Sequence, residues 1–337
     1  MKRLTAICFM LILIVSIVNG QSLIRVNNDP RVKADFTSLQ DANDNASDGD
    51  TIYMEGSATS YDGAIITKKL VIVGPGYFLS ENPNTQAITT EAEFSANLQF
   101  KAGSQGSTIE GCDIYHNLIQ IYVDSITVKR CKVYSIEFHD TISDLLIIQN
   151  YIDYQIKCNT SNVIVSNTII ANNILAGGST GILVYSNSGP LLITNNIVCN
   201  VMSSFPINVF NSSIQNNILT GPGASVAQNT GNSIINNLFA TTGTDADGNK
   251  YNMNMALVFA DFSGSGDYSA DSKWQLKEGS PAIGAGIGGV DCGVFGGTYP
   301  YVLSGIPEFP HIYSASIAVT ATAESGLPVV IKIMSQK

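Results

Sequence analysis

The chain has 337 residues, a net charge of −10 and only 13% charged residues, with 17 basic against 27 acidic side chains. No basic patch offsets this acidity, which argues against nucleic acid or an anionic membrane surface as a partner. The 45% hydrophobic content suffices for a large core, and abundant Asn, Ser, Thr and Gly point to a β-rich protein whose surface is polar rather than ionic.

At the start, Lys2 and Arg3 precede an apolar run from about Ile7 to Val18, and Val18-Asn19-Gly20 precedes Gln21. A charged region, a short apolar stretch and small residues before a cleavage point read as a secretory signal over 1–20. The run is shorter than the roughly 20 residues a membrane helix needs. Loss of this segment removes Cys8 and leaves Cys112, Cys131, Cys158, Cys199 and Cys292, an odd number. Cys112 and Cys131 are 19 residues apart; a disulfide and a stack of buried thiols fit that spacing equally, and no CxxC element suggests zinc.

Residues 21–50 read as an N-terminal cap. Phe36, Leu39, Ala42 and Ala46 recur at near-helical intervals, with Thr37 and Gln40 placed as a capping box. A short amphipathic helix there is suited to hiding the open strand edges of a solenoid. The turn Asp48-Gly49-Asp50 leads into Thr51 to Met54, where a repeating region over 51–300 begins.

Three rungs centred on Ile109, Val128 and Ile147 follow each other every 19 residues, with Cys112, Cys131 and Asn150 at the same corner. Four phrases continue the pattern: Asn172-Asn173-Ile174-Leu175, Asn195-Asn196-Ile197-Val198, Asn216-Asn217-Ile218-Leu219 and Asn236-Asn237-Leu238-Phe239, at intervals of 23, 21 and 20 residues. Coils of this length bury an apolar face only by stacking. Asn tolerates the left-handed backbone of a sharp corner, and amides stacked at the ~4.8 Å strand spacing can bond along the stack. Asn167 and Asn173 both have the look of corners yet are too close for separate coils, and either can belong to the stack. The fold expected is all-β, a right-handed parallel β-helix with a short N-terminal capping helix. After Phe239 come a polar, Gly-rich excursion, a block introduced by Trp274, and a 301–337 β segment or tail that either covers the far end or hangs free.

The opening DFTSLQDANDNASDGDTIYMEG, the NNIL-type rungs and the closing GSPAIGAGIGGVDCGVFGGTYPYVLSGIP together resemble the secreted bacterial right-handed β-helix repeat proteins of the pectate-lyase-like superfamily. The resemblance implies an extracellular or cell-envelope location and a long flank that in many members meets carbohydrate. Enzymes of that superfamily commonly use calcium-binding Asp residues with an Arg or Lys base; no motif here matches, so no catalytic residue transfers, and fold alone does not establish function.

Gly177-Gly178-Ser179-Thr180-Gly181 matches a nucleophile elbow but lacks the helix that should follow, and Gly284, Gly286 and Gly289 match a dinucleotide fingerprint with the same defect. Asp245, Asp247 and Asn249 place oxygen ligands at alternate positions, as for calcium, although the Gly falls at the fourth position and Ala256 stands where an EF-hand has its bidentate Glu. An ordinary polar turn is the competing reading. Overlaying the 19-residue rungs stacks Asp113, Lys132 and Tyr151 in one column and Tyr115, Tyr134 and Asp153 in another. Pairing Ile119 with Ile136 sets Gln120 beside Glu137 and Tyr122 beside His139. Aromatic faces among polar groups suit a saccharide chain, so Asp113, Tyr115, Tyr122, Lys132, Tyr134, Glu137, His139 and Asp153 form the candidate binding face. Glu137, His139 and Lys132 are the candidate acid or base groups. The function expected is carbohydrate binding or a structural role in the envelope, the alternative a polysaccharide lyase or glycoside hydrolase; the acidic balance disfavours a polyuronate substrate.

Overall fold

The structure, a computed structural model, describes residues 21–177, 181–185, 187–199, 205–321 and 326–335. Residues 1–20, read above as a secretory signal, and residues 178–180 of the nucleophile-elbow match lie outside the described residues.

Short β-branched runs bounded by corners form strands that pair only with the equivalent strand one coil away. Ten such strands, from Leu23–Val26 to Ser233–Ile235, make a first parallel sheet. A second runs from Ala64–Ile66 through Asp113–Ile121, Lys132–Phe138 and Tyr151–Cys158 to Leu238–Phe239, with Ile182–Leu183 and Ile207–Asn208 continuing the far half of Tyr151–Cys158. Ile142–Ser143 and Val165–Ser166 pair on a third face. The molecule is a right-handed parallel β-helix.

Register follows from the apolar period. Ile52, Ile72, Ile109, Val128, Ile147, Ile170, Ile193 and Ile214 stack in one fully buried column. Val133, Ile152, Leu175, Val198, Leu219 and Phe239 form a second. Each such side chain contributes roughly 1.5–3 kcal/mol by leaving water, and a slip of one residue would turn a whole column outward.

The corner between the two sheets divides its work between consecutive residues. The first is left-handed: Gly111, Arg130, Gln149, Asn172, Asn195, Asn216 and Asn236 have φ between 52° and 68°. The second points inward, and from coil 150 onward it is Asn. Asn150 Nδ2 donates to Asn173 Oδ1 at 2.9 Å, and the same bond at 3.0 Å links Asn173 to Asn196, Asn196 to Asn217 and Asn217 to Asn237. Every acceptor oxygen also takes the backbone N–H of the preceding Asn, so buried donors at the corner are satisfied. Asn173 is the member of the stack; Asn167, also left-handed at φ 45°, turns another corner of the same coil and bonds Asp144.

At the N-terminal end the helix α1 (Leu39–Asn45) buries Leu39 and Ala42. Its cap differs from the expected box. Ser38 is the N-cap, its Oγ accepting from Asp41 N at 3.1 Å, because the chain enters the helix one residue after Thr37. Gln40 is instead free to accept from Ile65 N, and Asn43 accepts from Thr67 N, so the helix pairs N–H groups at the edge of the second sheet. Leu23–Val26, within the segment read as a cap, pairs with Thr51–Met54 and so begins the first sheet.

At the far end Asn249 extends the amide stack, accepting from Asn237 Nδ2 at 3.0 Å, and the Tyr251 ring stacks on Phe239 at 4.6 Å. Residues 285–306 then return along the corner as a strap. Asn236 donates to Ala285 O, Asn216 accepts from Ile287 N, and Asn195 donates to Asp291 O and Gly293 O. Asn172 reaches Val294 O and Gly296 O, Gln149 reaches Pro300 O, and Arg130 reaches Ile306 O. The antiparallel hairpin of His311–Ile317 and Val329–Met334 meets the body where Ala87 N donates to Ile312 O.

All five described Cys are free and buried, so Cys112 and Cys131 stand on adjacent coils as thiols rather than a bridge, and burial pushes the Cys131 thiol up to about 12 and that of Cys158 up to about 11.

The two corner positions make different predictions. Asn196→Ala leaves the buried Asn173 N–H without a partner and takes from the Asn217 amide oxygen one of its two donors, the backbone N–H of residue 196 remaining, and should cost about 2–4 kcal/mol. Asn195→Gly keeps the left-handed backbone and loses the strap bonds together with those from Thr194 and Asn216, outside the amide stack, about 1 kcal/mol. Urea unfolding midpoints of the two variants against wild type check this ranking.

Candidate functional site

Three long strands on successive coils, Asp113–Ile121, Lys132–Phe138 and Tyr151–Cys158, hold all the predicted site residues on or just beyond them, except the metal candidates. Asp113 pairs with Lys132 and Lys132 with Tyr151, and Gln120 pairs with Glu137, as the period requires. The second expected column does not form. Three residues, 115–117, and two residues, 153–154, face the single Tyr134, because both neighbouring strands bulge there. Tyr134 therefore lies flat on Tyr154, with centroids 5.1 Å apart and planes 4° apart, while Asp153 sits half-buried in the bulge.

The predicted residues fall into two groups, one on either side of that bend. In the first, Lys132 Nζ bonds Asp113 Oδ2 at 2.9 Å and lies 4.4 Å from the Tyr115 ring centroid and 4.9 Å from that of Phe78. Asp113 Oδ1 accepts from Tyr115 N at 2.9 Å, which ties the ring to the carboxylate. In the second, Glu137 holds His139 Nε2 at 3.1 Å and Lys157 Nζ at 3.3 Å. His139 stacks on Tyr122 at 4.6 Å, Gln120 Nε2 lies 3.2 Å from its Nε2, and Lys101 sits 5.0 Å above the Tyr122 ring.

Two participants had no local signal. Phe78 and Glu91 come from the loop between the early strands. That loop is pinned by a buried network in which Tyr77 Oη meets Tyr301 Oη at 2.6 Å and Asn82 Nδ2 donates to the fully buried Asp271 at 2.9 Å. Asp271 also accepts from Ser304 N at 2.8 Å, locking loop and strap together. Glu91 then shares a hydrogen bond with Asp113, and its carboxyl is raised to about 7 by burial first and the Asp113 carboxylate second. The result is a carboxyl raised towards neutrality beside Asp113, which Lys132 holds.

The calcium candidates occupy a turn closed by an Ala246–Asn249 bridge. Asp245 Oδ1 accepts from Tyr251 N at 2.8 Å, Asn249 Oδ1 is committed to two Asn237 donors, and Asp247 is left-handed at φ 52°. Among the described residues no three His, Cys, Asp or Glu side chains gather as a metal-holding group, and no helix is long and apolar enough to cross a membrane. Gly284, Gly286 and Gly289 lie in the strap and its approach, and among the described residues no helix of pyrophosphate-binding length follows them.

No protein-family model matches the chain, and no curated protein matches it significantly in sequence.

Glu91 sets a pH dependence. Its folded value near 7 lies above the ordinary 4.5, so its contribution to stability is complete below about 4.5 and is lost as pH rises through about 7. Thermal melts across this window should show wild type losing stability towards pH 7, and Glu91→Gln should flatten that slope.

Proposed function

We propose that the protein is a secreted or cell-surface β-helix that binds a glycan chain, without cleaving it, along the flank of the three long strands. The observation that supports this best is the run of partly exposed rings on successive coils: Tyr115, the parallel Tyr134 and Tyr154 pair, and Tyr122 stacked with His139. Flat apolar faces of this kind pack against the C–H faces of sugar rings, and the neighbouring amide, carboxylate and ammonium groups serve their hydroxyls. Lys132 and Lys157 are already paired with Asp113 and Glu137, so no free cation among them selects an acidic polymer, and a neutral glycan fits better.

One observation favours a second reading, a glycoside hydrolase or polysaccharide lyase. Glu91, raised to about 7 beside Asp113, would serve as the general acid and Asp113 as the second carboxyl group of an acid–base cleavage of a glycosidic bond.

Binding of the chain lacking residues 1–20 to neutral and acidic polysaccharides, followed by a reducing-end and unsaturated-product assay, separates the two. Retention of a neutral glycan without new ends or products supports the binding module. The triple substitution Tyr115→Ala, Tyr122→Ala and Tyr134→Ala should weaken that retention at least about tenfold, or roughly 1.4 kcal/mol. Undiminished retention would remove the aromatic flank from consideration. Turnover that disappears in Glu91→Gln would establish the enzyme instead.

A further inference from the structure

Across the corner from that flank, the outer face of strands Thr108–Glu110, Thr127–Lys129 and Leu146–Ile148 forms one wall of a cleft of about 480 Å³. Strap residues 298–302 form the other wall, and Glu308 stands at the rim. This volume lies within the range that small-molecule sites occupy. The lining combines the apolar Leu146 and Ile148 with the hydroxyls of Thr108, Thr127 and Tyr299, and at one end with two cations, Lys129 and Arg130.

Both cations are held from behind. Arg130 is almost fully buried, its Nη1 donating to Ile306 O at 3.0 Å and its Nε to Gln149 Oε1 at 3.0 Å. Lys129 Nζ meets the buried Glu110 Oε2 at 3.1 Å. Their remaining partner is different in kind. A single oxygen of Glu308 lies 3.2 Å from Lys129 Nζ and 3.4 Å from Arg130 Nη2, on a side chain 53% exposed. Two fixed cations thus already donate to one carboxylate oxygen held between them, supplied by a residue with ready access to water. An ion pair with so exposed a partner contributes little to stability, whereas a carboxylate bridged by fixed donors is a strong recognition element.

We propose that this cleft is a binding site for a small polyhydroxy carboxylic acid of the sugar-acid class. The ligand's carboxylate replaces Glu308 between Lys129 and Arg130, its hydroxyls meet Thr108, Thr127 and Tyr299, and its carbon skeleton lies against Leu146 and Ile148. Glu308 is then a tethered competitor that keeps the affinity low and the exchange fast. The site is separate from the aromatic flank and does not depend on the glycan reading.

Calorimetric titration of the full chain with D-gluconate, and with D-glucitol as its uncharged counterpart, tests the assignment. Gluconate should bind and glucitol should bind at least about tenfold more weakly, and Glu308→Ala should tighten gluconate about fivefold or more. The double variant Lys129→Met with Glu110→Gln removes one cation without stranding a buried carboxylate; it should lose gluconate while its melting temperature stays near wild type. Lys129→Arg, which keeps the charge, should retain binding and covers the case in which the double variant fails to fold. Failure of Glu308→Ala to bind gluconate at up to about 50 mM, or equal binding of glucitol, overturns the proposal.

Discussion

A coil that turns sharply between two sheets buries peptide groups that no ladder can serve, and the rest of this molecule depends on how that requirement is met. Two adjacent residues share it. One adopts the left-handed backbone and faces outward; the next places a primary amide on the axis of the corner, where it serves both its own coil and the preceding one. Neither role can be exchanged for the other. A side chain able to turn the corner is useless inside it without donors and an acceptor, and an inward amide cannot reach the strap. The doubled Asn in each phrase is therefore two different residues in physical terms.

The site follows from where that arrangement stops. Cys112 and Cys131 occupy the inward position in the coils before Asn150, and burial keeps their thiols protonated. In these coils the second-sheet strands run nine and seven residues, and in the first amide-cornered coil eight, against two in the coils that end with Leu238–Phe239. Long strands with bulges display rings and charges over an extended flank. The short strands of the amide-stacked coils give the regular part of the rod and little room for such display.

Fold and register were legible because both arise from a period. The columns of Ile and Val, the pairing of Ile119 with Ile136, and the neighbours Asp113 and Lys132 all follow from counting residues between corners. Counting fails where a coil changes length. The bulges opposite Tyr134 insert residues that no composition announces, and so Tyr134 meets Tyr154 rather than joining a column with Tyr115 and Asp153. Glu91 and Phe78 were invisible for another reason. They reach Asp113 and Lys132 through a loop whose position is fixed by Asp271 and Tyr301, some 190 and 224 residues away from Asn82 and Tyr77. The N-cap shows the same limit on a small scale, since Thr37 and Ser38 are equally good residues for that role and only the entry angle of the chain selects Ser38.

The strap alters how the rod can come apart. In a stack held only by neighbouring coils, either end can peel away one repeat at a time, and order can spread from any nucleus. Here a segment near the end of the chain touches the corners of at least six coils, from Asn236 back to Arg130. Those contacts join residues far apart in sequence, so they close late and at a high entropic cost. Once closed, they act as a clasp: loss of a terminal coil must also release its neighbours from the strap, and fraying gives way to a cooperative opening. A chain that emerges with its first residues leading stays unclasped until residues 285–306 follow, so its coils stack before they are locked together.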